Sequence, residues 1–397
     1  MASVEGRMNN PHGAAPNTML AQIYSLPDMI REAWPTFDQD TREALDHNLC
    51  RAARRLYLTG CGDSHHAALA SEFAFESLAG LPTEPMTALQ FSRYAVDCLP
   101  QDGPDANLVI GISASGQVSR TLEAMQRARK AGATVIALTA APGSRIALAG
   151  DRFLPIVTPP FDLAPGVRSY VATVLMLYAA AVRLGEARDK LTSAQAADVR
   201  RQVASLAEAI ERTLELCDEP ARKLAEDWKD ANEFVFTGGG PNFGTALFSA
   251  AKVLEASGDS ALGQDTEEWA HLQYFARAVS TPTFIITAGD RDISRAHEVA
   301  VAAKTIGRRV VGIVPEDLPG PRDLTGLALR FASVREVFSP LVTCIPSMLF
   351  AAYRAEVLSE PFFRAFGGGR DVSGGGGISR IRTSQIVEQE ETHALNV

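Results

Sequence analysis

Two stretches of this chain, about 175 residues apart, run through the same series of signals, and that repetition limits the folds open to it more than any other feature. Leu56 to Thr59 runs into GCGDSH as Phe234 to Thr237 runs into GGGPNF, and Val109 to Ile112 runs into SASGQ as Thr283 to Thr287 runs into AGDRD. Thr134 to Thr139 is matched by Arg309 to Val314, Phe153 to Val157 by Leu327 to Phe331, and the apolar helix from Tyr170 by the one from Pro340. A shared offset across all these pairs points to two copies of one α/β unit. In each copy apolar runs of strand length alternate with helix-period segments, which predicts a parallel sheet with helices on both faces.

At 397 residues, 46% hydrophobic and 21% charged, the chain is long enough for two well-packed domains. We expect an N-terminal arm and helix over 1–50, a first domain over 51–188, a helical connector over 189–230, a second domain over 231–360 and a Gly-rich tail over 361–397. Thr18 to Asp46 reads as helical, with Leu20, Ile23, Tyr24 and Ile30 on an apolar stripe and Pro27 and Pro35 as breaks. The connector carries Leu206, Ile210, Leu214 and Leu216 at helical spacing.

A net charge of −9 argues against nucleic acid or an anionic membrane as a partner, while leaving room for a local basic pocket that binds a small anion. Cys50, Cys61, Cys98, Cys217 and Cys344 form no CxxC pair and fit a reducing, cytoplasmic compartment. The first residues hold no apolar stretch long enough for a signal peptide. Tyr170 to Leu184 and Pro340 to Tyr353 are the most apolar segments; both fall short of a bilayer span and read as buried helices. The histidines show no ligand spacing, so no metal is expected, and no other cofactor. No helix-turn-helix segment accompanies the α/β units, which argues against a transcription regulator.

Asn107 to Gly132 carries the first chemical signal. The strand Leu108 to Ile112 breaks into Ser113, Ala114, Ser115 and Gly116, and a helix starts at about Ser119. Unpaired N–H groups at a helix start carry partial positive charge, and small hydroxyl residues let an anion reach them, so a phosphate or similar anion is the natural guest. One such turn, taken alone, reads equally well as a tight turn with a Ser cap. The GCGDSHH loop again opens a helix at a strand end, whereas the second copy has Ala288, Gly289 and Asp290 in place of Ser113, Ala114 and Ser115. An acidic residue there repels an anion, so one copy is expected to bind the anion and the other to supply something else.

With its CGDS loop at Cys61 to Ser64, its SASG loop at Ser113 to Gly116 and its duplicated α/β unit, the chain from about Met19 onward resembles the sugar isomerase (SIS) domain family, arranged as in the isomerase half of glucosamine-6-phosphate synthase. The resemblance implies two tandem SIS domains in a homodimer. In that family the helix after the second domain's first strand carries Lys-x-x-Glu, and a His follows the Glu by sixteen positions; Lys252, Glu255 and His271 fit. The resemblance further implies Ser113, Ser115 and the backbone around Gly116 for a phosphate, with Gln117 and Ser119 beside them. It implies Gly62 and Ser64 for sugar hydroxyls, flanked by Cys61 and Asp63, Ser169 for the opposite wall, and Glu268 near the sugar end. The closing GGGGISRIRTSQI resembles the family's tail over the site, with Arg380 or Arg382 where a Lys is expected, and Gly374 to Gly377 would let it move as a lid. The chain departs from the pattern at Val118, where Thr or Ser is usual, at Asp63, and at Arg168, where a small residue is usual. Arg168 offers an anion donor from another direction.

The chemistry can be argued beside the resemblance. Converting an aldose to a ketose moves a proton between carbons 1 and 2, so a carboxylate must take it from one and return it to the other through an enediol. Lys252 and Glu255, three apart, share a helix face, which makes Glu255 the base and Lys252 the ammonium that favours its charged form. An arbitrary Lys-x-x-Glu is more often a surface ion pair, but Ala250, Ala251, Val253, Leu254 and Ala256 surround this one with apolar neighbours. His271 suits ring opening, and the resemblance implies that it reaches the site from the neighbouring subunit; by its neighbours Trp269, Leu272 and Phe275 alone it reads as a structural His. No catalytic Cys stands at the N-terminus and no glutaminase domain precedes the first unit, so release of ammonia from glutamine is not expected. The expected activity is aldose–ketose isomerisation of a six-carbon anionic sugar. The alternatives are a deglycase or deaminase of a fructosamine 6-phosphate or amino-sugar phosphate, and a non-catalytic sugar-phosphate sensor.

Overall fold

The computed structural model describes residues 17–318, 324, 326–370 and 381–384. They divide into two compact units, one built from 34–158, 172–200 and the described residues from 366 onward, the other from 17–33, 159–171 and 201–365. We refer to them as the Ser113 unit and the Lys252 unit.

The Ser113 unit holds a five-stranded sheet of β1 (Arg55–Gly60), β2 (Thr83–Thr87), β3 (Asn107–Ile112), β4 (Thr134–Thr139) and β5 (Arg152–Pro155), in the order β2-β1-β3-β4-β5. Every pairing is parallel, with Leu58 of β1 opposite Pro85 on one side and Ile110 on the other. All six residues of β3 are buried, as a central strand covered on both faces requires.

The Lys252 unit repeats this plan with β6 (Glu233–Gly238), β7 (Ser260–Asp265), β8 (Thr283–Ile286), β9 (Val310–Pro315) and β10 (Ala328–Phe331), in the order β7-β6-β8-β9-β10. Each strand begins 176 to 178 positions after its counterpart. The backbone repeats as closely as the topology. Gly62, which opens the helix Asp63–Ala79 after β1, has φ 57° and ψ −128°, and Gly240, which opens the helix Pro241–Ala256 after β6, has φ 53° and ψ −129°. Only glycine visits that region freely. Both units are therefore parallel α/β sheets flanked by helices, as the repeat predicts.

Two strands were not legible in the sequence. β2 (TEPMT) and β7 (SALGQD) are edge strands, so neither needs a continuous apolar run, and β2 tolerates Pro85 because an edge leaves one row of N–H groups without a ladder partner.

Two expectations are corrected. Pro35 does not break its helix: Leu26–Ala44 runs through it, because Ile30, Trp34 and Phe37 are buried on one face and their burial outweighs the lost hydrogen bond. The two apolar segments lie in helices of 20 and 19 residues, Arg168–Ala187 and Pro340–Leu358, which do reach the length of a bilayer span. Their most apolar windows are 89% and 83% buried inside the protein, so burial rather than length makes them core helices.

In the Lys252 unit the helix Leu206–Asp227 is fastened by a polar network. Tyr24 donates to Asp218 at 2.5 Å, Tyr353 donates to the same oxygen, and the two hydroxyls lie 3.1 Å apart. Burial, with the bond to Asp218, pushes the Tyr353 phenol up to about 12. A cluster of Trp228, Phe234, Phe236, Phe284 and Phe350 fills the space beside β6 and β8.

Candidate active site

In the Ser113 unit the strand order reverses direction at β1, so the C-terminal ends of β1 and β3 open the crevice in which sheets of this kind bind ligands. Both loops singled out in the sequence lie at those ends. Ser113 N donates to Leu138 O (3.0 Å), Ala140 N to Ala114 O (3.1 Å) and Ile146 N to Gly116 O (3.2 Å), so the end of β4 and the short helix Arg145–Ala149 after it brace the hydroxyl loop. Gly116 has φ 67°, and a Cβ there would lie 2.1 Å from Ser144 Oγ, so the turn requires glycine. Ser113 is 1% exposed, and the hydroxyls of Ser113 and Ser119 are both buried without a hydrogen-bond partner among the described residues. Buried hydroxyls normally have one. A polar ligand at this turn would satisfy them. Val118, the cap of the helix Ser119–Lys130, makes no side-chain hydrogen bond, so the first-turn N–H groups stay open as well.

Ser115 and Gln117 are exposed on the rim, with Gln117 N donating to Ser115 Oγ at 3.4 Å. In the neighbouring loop Cys61 and Gly62 are exposed, Ser64 is half-buried, and Asp63 Oδ1 lies 3.6 Å from His66 Nδ1. Burial, then the charge of His66, pushes the His65 imidazole down to about 4. Although Cys61 is exposed as a residue, desolvation by the protein around its thiol holds it above its usual value, against a smaller pull that includes the charges of Arg382 and Arg120. Arg382 of the tail thus acts on the Cys61 loop, while Arg380 lies outside the described residues.

Sequence reading missed the charge behind this turn. Glu123, buried, is shared by Arg93 (3.0 Å), Arg120 (2.6 Å) and Arg127 (3.2 Å), three cations on one carboxylate. The spacing of Arg120, Glu123 and Arg127 along one helix face was the available signal; Arg93 arrives from a distant segment and left none.

The second copy of the loop is acidic. Thr287 Oγ1 donates to Asp292 Oδ1 at 2.6 Å, and burial, reinforced by the charges of Asp290 and Asp265, raises the Asp292 carboxyl. Glu336 is raised by burial and by Asp290 in the same way. This turn therefore carries carboxylates where the Ser113 turn carries hydroxyls.

What the Lys252 unit supplies is an ion pair. Lys252 is 0% exposed; its Nζ lies 2.5 Å from Glu255 Oε2, 3.5 Å from Gly166 O and 4.9 Å from the centre of the Phe248 ring. Glu255 is 26% exposed, so the pair presents a carboxylate to solvent with its ammonium held behind. Both sit on the helix Pro241–Ala256, which the glycine turn aims from the end of β6. Phe248, one turn before Lys252, stacks on Tyr170 at 3.7 Å. That contact brings the start of the helix Arg168–Ala187 against the Lys252 helix, with Ser169 half-buried beside it. Arg168 is 8% exposed and its Nη1 donates to Ser25 Oγ at 2.7 Å. Ser25 and Gln22 were not foreseen in any site, because they mark a break between two N-terminal helices and carry no motif of their own.

His271 is 65% exposed at the end of the helix Thr266–His271, and its Nε2 lies 3.1 Å from Glu267 Oε1. Glu267 also pairs with Arg295 at 2.6 Å, and these contacts pull its carboxyl below the usual range. Glu268 is exposed.

Comparison with known proteins fits this geometry. Residues 49–183 match the family model described as SIS domain. A curated glutamine–fructose-6-phosphate aminotransferase [isomerizing] from Gloeobacter violaceus is 28% identical over 345 residues, which is 85% of this chain and 55% of the relative. The chain thus spans about half the length of the curated relatives it matches. Among solved structures, the C-terminal domain of glucosamine-fructose-6-phosphate aminotransferase from Francisella tularensis has a TM-score of 0.79 at 18% identity, covering 89% of this chain and 99% of that one. A glucosamine-6-phosphate deaminase from Thermotoga maritima has a TM-score of 0.63 at 19% identity, covering 85% and 94%. Residues 49–183 are therefore a SIS domain, and the sheet of β6 to β10 repeats its fold within the same chain.

Proposed function

We propose that the protein is an aldose–ketose isomerase acting on a six-carbon sugar phosphate. One observation carries the reading: a fully buried ammonium, Lys252, held 2.5 Å from a partly exposed carboxylate, Glu255, on a helix aimed from a strand end. In the forward direction Glu255 takes the proton from carbon 2 of the open-chain aldose, the carbonyl oxygen at carbon 1 gains one, and an enediol forms. Return of the first proton to carbon 1 and loss of the hydroxyl proton at carbon 2 give the ketose. Lys252 favours the ionised form of Glu255 before the first transfer and after the second. The buried hydroxyls of Ser113 and Ser119, the open N–H groups of that turn and the surplus of arginine around Glu123 favour the phosphate as the group held by the SASG loop.

His271 is the proposed ring-opening group, contributed to a second copy of the chain. The exposed apolar side chains Leu272, Tyr274 and Phe275 that follow it support a homodimer contact there. Five free cysteines support a reducing, cytoplasmic setting.

Proton NMR in deuterium oxide tests the reading with a panel of sugar 6-phosphates, their 2-amino forms and fructosamine 6-phosphates. Exchange at carbon 1 or 2 with aldose–ketose interconversion supports the isomerase, and release of free amine replaces it with a deglycase or deaminase. Binding without any exchange replaces it with a sensor.

A further inference from the structure

Five histidines lie among the described residues, and their surroundings separate them. His47 is exposed at a helix start, and His271 pairs with Glu267 on the surface, with 65% of its side chain exposed. His297 has a buried Nδ1 with no carboxylate against it among the described residues. His65 stays uncharged near neutrality, because burial and then the charge of His66 push its imidazole down to about 4.

His66 combines what the others lack. Its Nδ1 is closed off from solvent, makes no hydrogen bond among the described residues and lies 3.6 Å from Asp63 Oδ1. The side chain keeps 15% of its surface exposed, and Nε2, which also makes no hydrogen bond among the described residues, lies on that open side. A carboxylate behind Nδ1 holds the proton there and leaves a lone pair on Nε2, so the imidazole can take a proton at one position and return it at another. The 3.6 Å contact has the length of an ion pair rather than of a hydrogen bond, and pairs of this kind tighten once the reacting group is in place.

The fold fixes the pair. Asp63 and His66 stand three apart in the first turn of the helix Asp63–Ala79 and share a face, and His66 N donates to Gly62 O at 3.0 Å. That helix starts beyond the end of β1, which is joined to the end of β3 by the pairing of Gly60 with Ile112. The SASG loop follows Ile112 directly, so the two loops stand one strand apart within the Ser113 unit.

We propose that Asp63 and His66 form a second proton-transfer site, which opens and closes the sugar ring and so interconverts its α and β anomers within the Ser113 unit. Nε2 takes the proton of the anomeric hydroxyl, and the electron pair of that O–H bond forms the carbonyl at carbon 1. The bond from carbon 1 to the ring oxygen breaks, its electron pair stays on that oxygen, and Nε2 hands it the same proton. Both oxygens are bonded to carbon 1, so one imidazole reaches each in turn. Rotation about the bond between carbons 1 and 2, followed by the reverse steps, gives the other anomer with no net change in protons. The inference rests on the sugar-phosphate reading above, with the phosphate on the SASG loop, and gives ring opening a group that needs no second copy of the chain.

A probe that cannot isomerise isolates this step. 2-Deoxyglucose 6-phosphate has both anomers but no hydroxyl at carbon 2, and so yields no ketose; glucose 6-phosphate is read in parallel. Magnetisation-transfer NMR of the two anomeric protons gives the exchange rate, and titration calorimetry gives binding. Wild-type protein is expected to raise exchange of the bound sugar about a hundredfold above its rate in the same buffer. His66→Asn should remove that acceleration while changing affinity by less than about threefold, and Asp63→Asn should lower it about tenfold at saturating sugar. His66→Gly should regain part of it in added imidazole, a rescue that a structural role would not give. Binding without acceleration by wild type, or acceleration that survives His66→Asn, overturns the proposal and leaves the sugar-phosphate reading standing. Parallel loss of affinity and acceleration in the His66 variants, with no rescue by imidazole, also overturns it, since His66 would then only shape the loop. If neither compound binds wild-type protein, the sugar-phosphate reading itself fails and this inference with it.

Discussion

Lys252 Nζ lies 2.5 Å from Glu255 Oε2, with the lysine wholly buried and the glutamate about a quarter exposed. An ion pair so asymmetric is poorly suited to holding a surface together and well suited to presenting one charged oxygen pair in a fixed pose. Glu255→Gln keeps the shape and removes the base, so turnover is expected to fall about a thousandfold with KM little changed. It also removes the carboxylate that lies against the buried Lys252 ammonium, at a cost on the order of 3 kcal/mol. Steady-state kinetics and denaturant melts read the two effects separately, and intact turnover in Glu255→Gln would remove the mechanism.

The hydroxyls of Ser113 and Ser119 find no hydrogen-bond partner among the described residues, which separates their effect on binding from their effect on folding. Ser113→Ala and Ser119→Ala should leave stability unchanged or raise it by a few tenths of a kcal/mol, because each removes a buried group without a partner. Affinity for inorganic phosphate or a sugar phosphate should drop about fivefold to tenfold in each. Loss of stability with unchanged affinity would return these residues to the role of structural caps.

His65 predicts a pH dependence of stability. Burial holds its folded-state pKa at about 4, below the ordinary value of about 6.5 that it recovers on unfolding. Between those values the unfolded chain binds a proton that the folded chain does not, so stability is fully present above about pH 6.5 and declines as pH falls toward about 4. The loss is about 2 kcal/mol, allowing for partial exposure of the ring. Urea unfolding across that window should give a shallower acid limb in His65→Gln than in wild type; identical limbs would contradict the assignment.

Asp218 accepts from both Tyr24 and Tyr353, so Asp218→Ala takes the shared acceptor from two phenols at once, Tyr353 buried and Tyr24 half-buried, leaving them only the contact between their own hydroxyls. The expected cost is about 2 to 4 kcal/mol, with Tyr24→Phe and Tyr353→Phe each costing about 1. A double-mutant cycle on the two tyrosines should show coupling, and additive losses would mean that Asp218 bonds to them independently.

The central strands, the hydroxyl loop and the Lys-x-x-Glu pair were legible in the sequence because each is a local pattern: an apolar run, a cluster of small hydroxyl residues, two charges on one helix face. The edge strands β2 and β7 were not, since half-exposed edges need no such run. Pro35 misled because the burial of Ile30, Trp34 and Phe37 that overrides it is tertiary. Ser25, Gln22 and Phe161, which frame Arg168, were invisible for the same reason: nothing in their own segments marks them, and only folding brings them to that guanidinium.

The glycine turns at Gly62 and Gly240 have a further consequence. Their backbone angles agree within a few degrees although one helix then begins with Asp63 and the other with Pro241. A conformation closed to every side chain acts as a registration mark: neighbouring positions are free to drift in chemistry, but the mark itself cannot move without the helix losing its aim. Aligning the two halves on these glycines sets Ser64 over Asn242, a hydroxyl in one copy against an amide in the other, so chemistry changes two positions beyond a turn whose backbone does not.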